Sequence, residues 1–175
     1  MIASDVHQFV ELAAWARSLP RSDAIEAYEE ALALYGGDLL ESVAVPTYTW
    51  LYDGAAIATS LRPDYRRLQE DVRLRLADLY ATGTSEEELG RAFDLYTELT
   101  AERPDDDRRW ISLLRVQGRR GDAMGLDASI RRLRTALVEL GQAEKPETAR
   151  LPLSVQRVLE EVQNQIRAPG QAAVG

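Results

Sequence analysis

An arginine-rich stretch between residues 108 and 134 has the residue types and spacing best suited to recognition chemistry. It holds eight arginines against two acidic residues, Asp122 and Asp127. A guanidinium group is planar, always charged and able to donate two parallel hydrogen bonds to one carboxylate. The stretch therefore suits binding of an acidic peptide or of an acidic surface on a protein partner. The alternative is a solvated helix face whose arginines pair with neighbouring acids.

Residue types that support catalysis or metal binding are sparse. His7 is the only histidine, and we expect it on the surface beside the apolar stripe of the first helix. His7 is thus the only histidine that could activate a serine, and the chain has no cysteine to act as a nucleophile. Asp105 to Asp107 lack the ligand spacing and the glycine of a calcium loop, and residues 118–121 lack the lysine and hydroxyl of a phosphate loop. We therefore expect a protein that is not an enzyme and has no metal site and no cofactor.

Charge and hydropathy narrow the classes of partner. The net charge of −8 argues against non-specific binding to nucleic acid or to an anionic membrane. The sequence has no apolar run as long as a membrane span and no signal-peptide pattern at its N-terminus. We expect a cytoplasmic protein whose domain contacts neither nucleic acid nor membrane directly.

The periodicity of apolar residues predicts helices throughout and no strand. Capping residues mark the helix starts, and glycine or proline marks the ends. The predicted helices run from Ser4 to Pro20, from Ser22 or Asp23 to Gly36-Gly37, from Pro63 to about Ala81, from Thr84 or Ser85 to just before Pro104, from Asp105–Asp107 to Gly121, from Asp122 to Leu140, and from Ser154 to Arg167.

A long connection is predicted over residues 36–60, which contain scattered glycine, proline and aromatic residues. Connections of this length inside a compact domain tend to be functional. Tyr48 and Trp50 are therefore candidates for contact with a partner. The alternative is that Trp50 anchors the loop on the helical core.

Two consecutive hairpins carry the same apolar pattern, and this pattern is similar to the tetratricopeptide consensus. We accordingly predict an all-α fold of antiparallel helical hairpins stacked as a tetratricopeptide-like right-handed superhelix, an architecture that commonly binds other proteins. It forms a single domain over residues 1–167, followed by a disordered tail over 168–175. The residues that carry the pattern are Leu76, Ala77 and Tyr80 against Ala92, Tyr96 and Leu99, and Trp110, Leu113 and Leu114 against Leu126, Ile130 and Leu133.

The tetratricopeptide resemblance also implies which residues meet a partner. In such arrays the first helix of each hairpin faces a concave groove. The resemblance places Arg108, Ile111, Arg115 and Arg119 on that face, so these four are the candidate partner-binding residues. The arginines of the following helix are expected to point mostly outward.

Several motifs extend over almost the whole chain, about residues 4–165. The most distinctive is Tyr-Gly-Gly-Asp-Leu-Leu over residues 35–40, accompanied by Trp110 with Leu113-Leu114, by Leu140-Gly141 and by Pro146-Glu147-Thr148. With these motifs the chain resembles the bacterial transcriptional activator domain of actinobacterial regulators. In that family the domain follows a winged-helix DNA-binding domain or ends a larger multidomain protein. Some relatives carry a peptidoglycan-binding LysM motif and membrane spans instead.

The resemblance implies a non-catalytic protein–protein interaction domain of a bacterial transcriptional regulator. Such a domain recruits a protein partner or mediates self-association into a homo-oligomer. The alternative is a C-terminal oligomerisation or scaffolding module of a multidomain envelope protein of the LysM or membrane type.

Overall fold

The computed structural model describes residues 2–34 and 55–167, with side chains over 7–34 and 66–167. Every regular element in these ranges is a helix, which confirms the all-α class. Tyr48 and Trp50, the predicted end of the second helix at Gly36-Gly37 and the predicted tail all lie outside the described residues. The helices are α1 (Ile2–Ala16), α2 (Arg21–Leu34), α3 (Ala55–Thr82), α4 (Glu86–Glu102), α5 (Asp107–Arg120), α6 (Ala123–Glu139) and α7 (Leu153–Arg167).

The chain divides into two compact units, Met1–Leu79 and Tyr80–Gly175. The boundary falls inside α3, so the last turn of this helix belongs to the second unit. A single domain over residues 1–167 and a superhelical stacking of its hairpins remain predictions.

In the first unit, α1 packs against α2. The contact is built from small side chains, because most of the buried residues of the two helices are alanines. Helical spacing in the sequence predicts that Val10 lies in the apolar stripe of α1 together with Phe9, Ala13 and Ala16, but Val10 is 41% exposed. It follows the fully buried Phe9 by one residue, and one residue turns a helix by about 100°. The buried residues are Phe9, Ala13, Ala16, Ala24, Ala27, Tyr28 and Ala31.

Polar contacts link the end of α1 and the start of α2 to α3. The Asp71 carboxylate accepts a hydrogen bond from Arg17 Nη2 at 3.0 Å and another from Arg75 Nε at 2.9 Å. The second of these bonds raises the pKa of the Arg75 guanidinium above its ordinary value. Arg21 Nε donates to the Leu79 carbonyl at 3.2 Å. The ion pairs are largely exposed, so each adds little stability.

In the second unit, α5 packs against α4, α6 and α7. The residues of the repeated apolar pattern that fall in this unit are buried, which confirms that part of the sequence prediction. Helix α7 adds Val155, Val158 and Val162 to the same core. The confirmed core residues are Tyr80, Ala92, Tyr96, Leu99, Trp110, Leu113, Leu114, Leu126, Ile130 and Leu133.

Side-chain caps start three of these helices where the sequence predicts them. Ser85 and Glu88 form a reciprocal capping box at α4, with Glu88 N donating to Ser85 Oγ at 3.1 Å. Asp106 accepts a hydrogen bond from the Arg108 backbone N–H at 3.0 Å at α5. Asp122 accepts one from Gly125 at 2.8 Å at α6. Caps act within one turn, so the local sequence is enough to place them.

The turn between α5 and α6 requires a glycine. Gly121 has φ of 65°, in the left-handed region, and its N–H donates to carbonyls of the last turn of α5. A residue with a Cβ is strained in this conformation, whereas glycine adopts it readily. The predicted end of the helix at Gly121 is confirmed.

Helix α3 begins at Ala55, so its predicted start at Pro63 is wrong. The predicted irregular connection is accordingly wrong for residues 55–60. Proline has no backbone N–H to donate, so it is unfavourable in the interior of a helix. The residues before it include Ala55, Ala56 and Ala58, and alanine has the highest helix propensity of all residues. This propensity favours continuing the helix on the N-terminal side of the proline.

A tight contact between α5 and α7 gives a first stability prediction. A Cβ added at Gly118 would lie 2.8 Å from Val162 Cγ1 and 3.1 Å from Cγ2. Val162 is buried and β-branched, so it has little freedom to move. We expect Gly118→Ala to lower the free energy of unfolding by about 1–3 kcal/mol in urea denaturation followed by circular dichroism.

The matched control for this substitution is Gly90→Ala in α4. A Cβ at Gly90 would meet no atom within 4 Å. We expect this variant to gain about 0.5–1 kcal/mol from the higher helix propensity of alanine. Shifts of the same sign and size in both variants would contradict the close approach of α5 and α7.

Candidate partner-binding site

Three of the four predicted groove residues share an open face of α5. Arg108 and Arg115 are exposed, and Ile111 is half-buried between them. At about 100° per residue, Arg108 and Arg115 lie on the same side of the helix, and the buried Trp110 and Gln117 lie on the opposite side. We call this surface, made of Arg108, Ile111 and Arg115, the α5 face.

The two guanidinium groups of the α5 face point into solvent. Within the described ranges, no residue accepts a hydrogen bond from the side chain of Arg108 or of Arg115. The two residues are separated by two helical turns, roughly 10 Å along the axis. This arrangement offers two positive donors in a row, each able to bind a carboxylate bidentately.

Arg119, the fourth predicted residue, is engaged within the domain. Its guanidinium donates to the carbonyls of Ala81 and Gly83, at the C-terminal end of α3. These carbonyls lack helical partners, and a cation at this end also complements the helix dipole. The structure thus uses Arg119 to hold the end of α3, and the open part of the site consists of the other three residues.

Arg109 has a role that the sequence pattern did not single out. It is 6% exposed, its Nη1 donates to the Leu99 carbonyl at 3.1 Å, and its Nε donates to Asp106 at 3.1 Å. It therefore ties the end of α4 to the start of α5. Helical spacing could have predicted the burial of Arg109, since this residue shares a face with the buried Leu113 and Val116 rather than with Arg108.

A hollow in the same unit, which we call the α4–α6 groove, has a volume of about 550 Å³. The Trp110 ring borders it, and Trp110 Nε1 donates to the Pro104 carbonyl at 3.1 Å. The guanidinium of Arg132 lies 5.8 Å from the centre of that ring. Arg131 and Arg132 are both exposed, in agreement with the outward position expected for the arginines of α6, whereas the apolar pattern of the sequence does not predict this groove. Its lining comprises Thr100, Ala101, Pro104, Trp110, Ala128, Arg131, Arg132, Thr135, Ala136 and Glu139.

His7 and the acidic side chains are the remaining candidates for catalysis or metal binding. His7 is exposed, as predicted, and its Nε2 lies 3.1 Å from Glu11 Oε1. Over the described part of the chain, no three histidine, aspartate or glutamate side chains meet in a group able to hold a metal ion. None of the helices there is both long enough and apolar enough to cross a membrane.

The fold and this geometry define the class: an all-α protein of amphipathic helices, in which α5 presents Arg108 and Arg115 to solvent. The family model of the bacterial transcriptional activator domain matches residues 4–156. The chain belongs to this family, which confirms the resemblance, and it is a domain of a transcriptional regulator. Neither a curated protein nor a solved structure matches the chain.

Proposed function

We propose that the chain is a non-catalytic interaction domain that recruits an acidic protein partner to a bacterial transcriptional regulator. The α5 face is the proposed contact. The observation that carries the proposal is the pair of exposed guanidinium groups, Arg108 and Arg115, on either side of the half-buried Ile111.

The chemistry of the α5 face specifies the partner. Two carboxylates about two helical turns apart would each meet one guanidinium, and an apolar side chain between them would cover Ile111. Exposed ion pairs add little affinity by themselves, so the two arginines would set the specificity and the association rate of binding. The apolar contact at Ile111 would contribute affinity by burying apolar surface. Recruitment of this kind needs no bond-making step.

Self-association is the second candidate function, and the distribution of charge favours it. Residues 1–60 hold nine acidic and two basic side chains, in contrast to the arginine-rich stretch over 108–134. An acidic segment of one copy would then serve as the partner of the α5 face on another copy. Light scattering at low and high salt tests this form, because screening weakens contacts between exposed charges.

The test of the α5 face is Arg108→Glu combined with Arg115→Glu. The probe is a fluorescein-labelled helical peptide with two glutamates seven residues apart and a leucine midway, titrated by fluorescence polarisation. We expect the double variant to bind it at least about tenfold more weakly, since two attractive contacts become repulsive. The same peptide with glutamines in place of the glutamates should bind neither protein.

Arg150→Glu combined with Arg157→Glu is the matched control, because both arginines are exposed and the change of charge is equal. The control should bind the peptide like the parent protein, and circular dichroism should show unchanged helix content in both double variants. Equal binding by all three proteins would refute the α5 face as the contact.

A further inference from the structure

We propose that the α4–α6 groove is a second binding site, which accepts one apolar side chain of a short peptide segment and binds an adjacent carboxylate through Arg131. The site is separate from the α5 face. Trp110, which borders the groove, is about 200° from Arg108 around α5. The two sites therefore lie on opposite sides of α5, and the groove does not depend on the function proposed for the α5 face.

The floor and walls of the groove are largely apolar. Ala101 and Pro104 contribute from the end of α4 and the following turn, Ala128 and Ala136 contribute from α6, and the Trp110 ring closes one side. A volume of about 550 Å³ falls within the range of sites that bind ligands in proteins. An apolar side chain placed there would leave water and cover these carbons.

The shape of the groove favours a peptide over an enclosed small molecule. Ala101, Thr135 and Glu139 are exposed, as are both arginines of the lining, so the groove is open along its rim. An open groove covers one side of its ligand only. A side chain that projects from a peptide fits this shape, because the peptide backbone stays in solvent with its hydrogen-bonding groups satisfied.

The charges at the two ends specify the rest of the ligand. Arg131 is exposed, and within the described ranges no residue accepts a hydrogen bond from its side chain. Arg132, beside it, is already engaged, since its Nη2 lies 3.3 Å from the Thr97 carbonyl. Glu139 stands about two turns further along α6, roughly 12 Å away. The groove is thus positive at one end and negative at the other.

This complementarity points to one occupant: a peptide segment in which an acidic residue, one or two apolar residues and a basic residue follow in this order, with room for a small residue before the base. The acid meets Arg131, the apolar side chain enters the groove, and the base meets Glu139. The Trp110 ring is held by its bond to the Pro104 carbonyl and by Arg132, so the site is formed before the ligand arrives. A preformed site loses little entropy on binding.

Filling the groove gives the first arm of the test. The probe is a fluorescein-labelled peptide, Ser-Asp-Glu-Leu-Phe-Gly-Lys-Ser, titrated against the whole chain by fluorescence polarisation. Ala101→Trp adds an indole at the rim of the groove, whereas Ala123→Trp adds one at an exposed position of α6 outside it. We expect Ala101→Trp to weaken binding by about tenfold or more and Ala123→Trp to leave it unchanged.

Reversing one charge gives the second arm. Arg131→Glu should weaken binding of this peptide by about tenfold, whereas the matched change Arg157→Glu on α7 should not alter it. A peptide with lysines in place of Asp-Glu should regain affinity for Arg131→Glu. A fold defect would not produce this exchange of preference.

Three outcomes would overturn the proposal. They are the absence of any polarisation change at millimolar peptide, equal binding by Ala101→Trp and Ala123→Trp, and failure of the lysine peptide to favour Arg131→Glu. Loss of binding in the double variant of Arg108 and Arg115, with the groove variants unaffected, would assign the peptide to the α5 face instead. That result would refute the groove and leave the proposed function standing.

Discussion

Replacing Trp110 by alanine should lower the free energy of unfolding by about 3–5 kcal/mol. Trp110 is 2% exposed and lies on the buried side of α5. Its removal leaves a large cavity, deprives the Pro104 carbonyl of its indole donor and removes the ring beneath Arg132. The measurement is urea denaturation followed by circular dichroism at the helix band.

The chain supplies a matched control in Trp15, which is 56% exposed on α1. Trp15→Ala removes the same side chain but opens no core cavity, so we expect a change within about 0.5 kcal/mol. Trp110→Phe separates packing from hydrogen bonding, because it keeps a ring but loses the indole donor. Comparable losses in Trp110→Ala and Trp15→Ala would contradict the placement of Trp110 in the core.

Replacing Arg109 by methionine should cost about 2–3 kcal/mol, although the change exchanges a charged residue for an apolar one at a buried position. Methionine occupies similar space to the arginine stem, so the loss reports the guanidinium. The Leu99 carbonyl loses one donor, and Asp106 loses the Nε bond that positions it as the cap of α5. The connection between α4 and α5 then loses a buried polar contact.

Arg103→Met is the control for Arg109→Met, because Arg103 forms an exposed ion pair with Asp105 in the same connection. Exposed pairs of this kind contribute about 0–1 kcal/mol, so the control should be nearly neutral. The measurement is the free energy of unfolding of the two variants, obtained from urea denaturation curves. A loss in Arg103→Met as large as that in Arg109→Met would show that burial of the guanidinium is not the source of the effect.

These two residues also connect stability with the proposed binding surfaces. Trp110 borders the α4–α6 groove, and Arg109 holds the start of α5, where Arg108 begins the α5 face. Neither residue is expected to contact the partner of the α5 face directly. Variants at these positions would weaken binding at the α5 face only through the fold, so the binding tests change exposed arginines and an exposed alanine.

The helices could be predicted from the sequence to the extent that short-range interactions fix them. Ser85, Asp106 and Asp122 cap helices through bonds to residues two or three positions ahead, and Gly121 ends α5 through its own backbone conformation. Burial of Trp110 follows from helical periodicity in the same way. These features depend on contacts within a few residues, so the sequence pattern contains them.

Two features, the start of α3 and the exposure of Val10, were predicted wrongly. The start of α3 depends on two opposing effects, the unfavourable proline and the high helix propensity of the residues before it. The prediction took the proline as the first residue of the helix, whereas the helix begins at Ala55. Val10 is apolar, yet its place around α1 leaves it exposed. In both cases the residue type alone led to the wrong prediction.

The sequence by itself determined the all-α class, most helix boundaries, the residues of the core and the membership of the bacterial transcriptional activator domain family. The tertiary structure alone decided what each arginine does. Arg119 meets carbonyls more than thirty residues away, Arg109 is buried against α4, and Arg108, Arg115 and Arg131 remain open to solvent. All five have the same side chain. Only the packing of one helix against another determines which acceptors, or how much water, each guanidinium meets.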